Sequence, residues 1–105
     1  MATWFVSRHA GAVEWLGRRG LRVDRLVPHL DVADIHPGDR VVGALPAHLA
    51  AEVCRRGGRY FHLVLDVPPE ARGGTWTAGQ MDAMGARLEE YRVERVDPGP
   101  ETEPV

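Results

Sequence analysis

The chain has 105 residues, 44% of them hydrophobic, with 13 basic and 15 acidic side chains and a net charge of −2. That is one domain and too little for two ordinary ones, and so small a domain gains from pairing with a second copy. The charge balance argues against a binder of long DNA or RNA, which needs a strong basic excess, and no run of about 18 apolar residues is there to span a membrane.

Thr3-Trp4-Phe5-Val6-Ser7 is a β-prone apolar run and predicts a buried first strand. Ala12, Trp15 and Leu16 stand at i, i+3 and i+4, a helical stripe that Gly20 ends. Val23 to Leu30 holds a second apolar run cut by Pro28, which predicts an edge strand or a strand end. His36-Pro37-Gly38-Asp39 is a turn by composition. Arg40 to Leu45 reads as another buried strand. Pro46 is placed to open a helix, where its missing N–H costs nothing. Leu49, Ala50, Val53 and Cys54 form one face of that helix, and Gly57-Gly58 ends it. Tyr60 to Leu65 is the strongest strand, closed by Pro68-Pro69. After a Gly-rich loop, Thr77 and Gln80 have the spacing of a capping box, and Met81, Met84, Leu88 and Tyr91 continue as a helical stripe.

The expected order is β-α-β-β-α-β-α. Apolar strands alternating with amphipathic helices predict an α/β fold, a mostly parallel sheet flanked by helices. Residues 1–93 form the single domain. Residues 94–105, acidic and containing Pro98, Pro100 and Pro104, read as a disordered tail. That tail holds Glu94, Asp97, Glu101 and Glu103 beside one base, Arg95, so residues 1–93 carry 12 basic and 11 acidic side chains. Every basic residue is arginine. Arginine suits bidentate contact with a compact phosphate, although compositional bias is the simpler account of the missing lysines. Cys54 is the single cysteine, which suits a reducing cytoplasm, and no secretion signal is visible at the N-terminus.

In open α/β sheets ligands bind beyond the carboxyl ends of the strands, at a topological switch point. Three segments qualify. The first strand ends in Ser7-Arg8-His9, the third in Gly43-Ala44-Leu45-Pro46-Ala47-His48, and the Tyr60–Leu65 strand runs into a loop with Arg72-Gly73-Gly74. Helix N-termini on that rim favour phosphate, and Gly11 permits close approach of backbone to a ligand. GxGxxG and GxxxxGKS are both missing, which argues against nicotinamide oxidoreductases and ATPases. No His/Cys/Asp spacing makes a convincing metal site, and no cofactor is expected. Each candidate also has a plain reading. Ser7 can cap the first helix. Arg8 can pair with a surface acid, and His9, whose residue type can act as acid or base, can be passive. His48 can simply be solvated, His62 packed or at an interface, and Cys54 part of the core. Arg72 can clamp a phosphate or merely solvate its loop.

Phe5-Val6-Ser7-Arg8-His9 is followed by Gly11-Ala12 and Trp15, then Val23-Asp24 and His29-Leu30-Asp31. Gly43-Ala44-Leu45-Pro46 comes next, with Leu49-Ala50-Ala51-Glu52-Val53-Cys54, and then Tyr60-Phe61-His62-Leu63. In this order the blocks resemble the Csx-sixteen proteins, a small CRISPR-associated family of type III systems. The resemblance covers residues 3 to 93. It implies a Rossmann-like fold akin to the CARF domains that sense cyclic oligoadenylates. It also implies a homodimeric, metal-independent ring nuclease that cleaves the second messenger, chiefly cyclic tetra-adenylate, and so switches off type III signalling. On that reading Arg8 stabilises a phosphate, His9 moves or positions a proton, and Ser7 with the adjacent helix N-terminus holds a phosphate. Gly43, Leu45 and Pro46 shape the wall, Arg72 closes over the ligand, and Gly11, His48 and Gly73 are further contacts. Three rivals remain: a sensor or sponge that binds without cutting, an interaction module of the CRISPR effector complex, and a metal-dependent phosphodiesterase using His9, His29 or Asp31.

Overall fold

Successive side chains of a strand point to opposite faces of its sheet, and here that alternation divides the core in two. The computed structural model describes residues 1–71 and 73–97. Arg72 lies outside the described residues, as does stretch 98–105, most of the expected tail. Strands β1 (Thr3–Val6), β2 (Arg25–Val27), β3 (Arg40–Gly43) and β4 (Arg59–Val64) are parallel neighbours in the order β2-β1-β3-β4. Strand β5 (Arg87–Tyr91) lies antiparallel beside β4. Helices α1 (Ala10–Arg18) and α3 (Ala78–Ala83) pack together on one face. Helix α2 (Ala47–Arg55) and a 3-10 turn at Val32–Asp34 cover the other.

Adjacent strand residues part accordingly. Phe5 and Val42 join Trp15, Leu16 and Met81 under α1 and α3, whereas Trp4 and Val41 join Ile35, Ala50, Val53 and Tyr60 under α2. The expected class, an α/β fold with a mostly parallel sheet flanked by helices, is the observed one. Among the described residues no helix is long and apolar enough to cross a membrane.

The end of the chain departs from expectation. Met81, Met84, Leu88 and Tyr91 keep helical spacing, yet α3 stops at Ala83. Met84 is its C-cap, and Gly85 follows at φ +71°. That left-handed conformation is disfavoured for residues with a Cβ and commonly ends helices. The chain then reverses, and Leu88 comes opposite Leu63 in the antiparallel ladder. The order β-α-β-β-α-β-α therefore gains a final strand. A fork-on-fork pair ties that strand to β4, with Arg59 Nε and Nη2 each 2.8 Å from the Glu90 carboxylate.

The capping box is present as expected. Gln80 N–H donates to Thr77 Oγ1 at 3.1 Å, and Thr77 N–H donates to Gln80 Oε1 at 2.9 Å. Trp15 Nε1 donates to Asp82 Oδ1 at 2.7 Å and ties α1 to α3. At the opposite end of the sheet from the strand carboxyl ends, the buried Asp39 carboxylate gathers the N-terminal segment.

Candidate functional site

Parallel strands deliver their carboxyl ends to one side of the sheet. The chain leaves β1 for α1 on one face and leaves β3 for α2 on the other, so the two loops diverge and open a crevice between them. A cleft of about 470 Å³ occupies that place. Phe5, Val6, Leu63, Leu65 and Met81 make its inner wall, and Leu45, Pro46, Leu49 and Trp76 stand around it. Arg8, His9 and His29 are the titratable side chains among the described lining residues, and none of that lining is acidic.

The loop after β1 is held by its own backbone. Ser7 N–H donates to Val27 O at 3.0 Å and carries the β1–β2 ladder one residue further. Ser7 Oγ accepts from His9 N–H at 3.0 Å, so it closes a small side-chain turn rather than capping α1. His9 occupies the N-cap position of α1 and makes no side-chain cap bond. Arg8 is exposed and donates from Nη2 to Nε2 of His29, just after β2.

The opposite wall is held by Tyr60. A Cβ on Gly43 would meet Val6 O at 2.9 Å, so glycine lets β3 end close against β1. Two residues on, Leu45 N–H donates to the Tyr60 hydroxyl at 2.9 Å. That hydroxyl also lies 3.2 Å from Gly43 O and 2.6 Å from His62 Nδ1. Burial pushes the Tyr60 phenol above its usual range, so it keeps the proton it donates. Tyr60→Phe leaves Leu45 N–H without this partner. It is expected to cost about 1 kcal/mol of stability and to speed hydrogen exchange at Leu45. Denaturant titration and amide exchange check both, and unchanged exchange at Leu45 would show that the wall does not depend on the hydroxyl.

The cleft thus brings together Ser7, Arg8, His9, Gly43, Leu45 and Pro46. Other candidates stand apart from it. Gly11 faces a shallower adjoining hollow with Thr75 and Gln80, and a Cβ there would meet Trp76 O at 2.0 Å. The packing of α1 against the segment before α3 therefore requires this glycine, whether or not a ligand approaches. His48 is exposed in the first turn of α2 and Gly73 in a turn at φ +81°, both outside the cleft lining. Arg72 lies outside the described residues. His62 packs between Tyr60 and a stacked Tyr91 at 5.6 Å between ring centroids. Cys54 Sγ lies 3.5 Å from Val93 N on the far side of α2's wall, outside the cleft lining.

Sequence reasoning named His29 only in the metal-dependent alternative, not on the phosphate rim, and passed over Trp76. A signal for His29 was available: a strand-helix-strand unit makes β2 parallel to β1, so the residues after β2 belong on the same rim. Trp76 sits in a Gly-rich loop whose path no local pattern fixes. Among the described residues no group of three or more His, Cys, Asp or Glu side chains is arranged to hold a metal ion.

The model of a family described as "Putative CRISPR-associated protein (Cas_VVA1548)" matches residues 4–94. No curated protein and no solved structure matches the chain.

Proposed function

Since the chain belongs to this family of CRISPR-associated proteins, we propose that its cleft binds a cyclic oligoadenylate, chiefly cyclic tetra-adenylate, and opens the ring, switching off type III signalling. The observation that carries this reading is the composition of the cleft. An apolar wall that includes Trp76 suits adenine, and a mouth holding Arg8, His9 and His29 without acidic lining among the described residues suits phosphate. The position at the β1/β3 switch point agrees with it. The resemblance to CARF-like ring nucleases supplies the ligand's identity.

The substrate carries its own nucleophile. A ribose 2′-oxygen attacks the adjacent phosphorus in line, the bond from phosphorus to the 5′-oxygen breaks, and a 2′,3′-cyclic phosphate forms. The 2′-hydroxyl proton goes to a base, and the departing 5′-oxygen takes a proton. What the protein adds is alignment and charge stabilisation. Arg8 serves the phosphoryl oxygens, because guanidinium donors match them in pairs. His9, on the same loop, serves as the proton carrier. Two clefts related by a two-fold axis would present two copies of each residue to a two-fold ring, so a homodimer fits this chemistry.

Incubation with labelled cyclic tetra-adenylate in EDTA tests the reading. Linear products are the expected outcome. Binding without products would make the protein a sensor or sponge, and no binding would remove the nucleotide from the account.

A further inference from the structure

Arg8 and His29 meet at the mouth of the cleft although both are bases. A guanidinium has donors and no acceptor, so the contact from Arg8 Nη2 to His29 Nε2 requires a lone pair on Nε2. A ring that accepts there carries its proton on Nδ1, whereas an imidazolium has no acceptor to offer. Among the described residues neither side chain has a carboxylate within 4.0 Å. Asp31, two residues beyond His29, turns its carboxylate to its own backbone and accepts from Ala33 N–H at 3.0 Å. Of the remaining titratable groups only His9 lines the cleft among the described residues, and the walls from β3, β4, α2 and α3 contribute none.

The pair is therefore two donors-in-waiting with no anion. Protonation of His29 removes the acceptor and sets two cations side by side. A phosphate reverses that penalty, since its oxygens only accept and can face both side chains at once. We propose that one phosphate of the bound ring enters between Arg8 and His29, displaces their mutual contact, and draws a proton onto His29. This rests on the proposed function for the identity of the ligand, and it adds His29 as a ligand-binding group and pH as a control of affinity. By linkage, a ligand that binds with proton uptake binds more tightly as pH falls.

Calorimetric titration of the full chain, in buffers of different ionisation enthalpy, reads proton uptake directly. The probes are cyclic tetra-adenylate and inorganic pyrophosphate. The expected result for the ring is uptake of about half a proton per site near neutrality, with affinity rising about tenfold between pH 8.5 and 5.5. His29→Gln keeps an acceptor for Arg8 but does not titrate, so uptake disappears, whereas His9→Gln retains it. Nitrogen shifts of the wild-type His29 ring read the same event as a change from the Nδ1–H tautomer to imidazolium. Ring binding with no uptake, or with uptake that survives His29→Gln, overturns the inference and leaves the proposed function standing. Pyrophosphate binding with His29-dependent uptake, where the ring does not bind, upholds a proton-coupled phosphate site between Arg8 and His29 but overturns the ring as its ligand, and with it the proposed function. Failure of both probes to bind overturns both.

Discussion

Arg8→Ala is expected to slow the proposed ring opening by at least about tenfold, equivalent to about 1.4 kcal/mol in the barrier. The loop that carries Arg8 is fixed without its side chain, through Ser7 N–H to Val27 O and His9 N–H to Ser7 Oγ. The guanidinium is exposed and touches His29 rather than the core. Its removal therefore leaves fold and loop in place and subtracts positive charge at the proposed phosphate site, together with the contact to His29. Arg8→Lys returns part of the rate, because an ammonium supplies charge without the paired donors. Single-turnover assays and thermal melts of the same samples separate the effects. Wild-type turnover in Arg8→Ala would take this residue out of the mechanism.

Asp39→Ala lowers stability by about 3 kcal/mol, enough to drop Tm by more than about 10 °C in a domain of this size. Asp39 is 4% exposed. Its carboxylate accepts from Ala2 N–H at 2.9 Å, His36 N–H at 3.0 Å and, more weakly, Trp4 Nε1 at 3.4 Å. It thereby joins the N-terminus, the turn before β3 and the core. Alanine leaves those donors facing no acceptor. Burial pushes the Asp39 carboxyl up, but the hydrogen bonds from Ala2, His36 and Trp4, with the His36 charge nearby, together hold it below its ordinary value. A carboxyl lowered on folding stabilises above its unfolded value, near pH 4, and loses that contribution as pH falls through the folded value. The gap in stability between wild type and Asp39→Asn is therefore full at pH 7 and shrinks below about pH 4. Urea titrations across that range check the sign, and a gap that widens in acid would contradict it.

The strands and first two helices were legible because their apolar residues follow the periods that burial imposes. Trp4 and Phe5, or Val41 and Val42, need both faces covered, and continuous apolar runs announce that. β5 was hidden for the opposite reason. Arg87, Glu89, Glu90 and Tyr91 lie at a half-solvated sheet edge, so no core pattern marks them, while Met81, Met84 and Leu88 happen to continue a helical stripe. Gly85 was the local warning.

The site was legible as a rim before it was legible as a cleft. Ser7, Arg8, His9, Gly43, Leu45 and Pro46 come together because strand ends and the switch point can be read from element order. His29 depends on knowing that β2 lies beside β1, and Trp76 on how a long loop folds back. The role of Gly11 was open in the sequence because a tight approach to Trp76 O and a tight approach to a ligand make the same demand for a missing Cβ.

The central claim is that the cleft promotes attack by the ring's own 2′-hydroxyl. Mass analysis of products from cyclic tetra-adenylate and from its 2′-deoxy counterpart, both in EDTA, addresses it most directly. The account predicts linear products with 2′,3′-cyclic phosphate and 5′-hydroxyl ends from the ribose ring, and an intact deoxy ring. Cleavage of the deoxy ring, or products bearing 5′-phosphates, would contradict it.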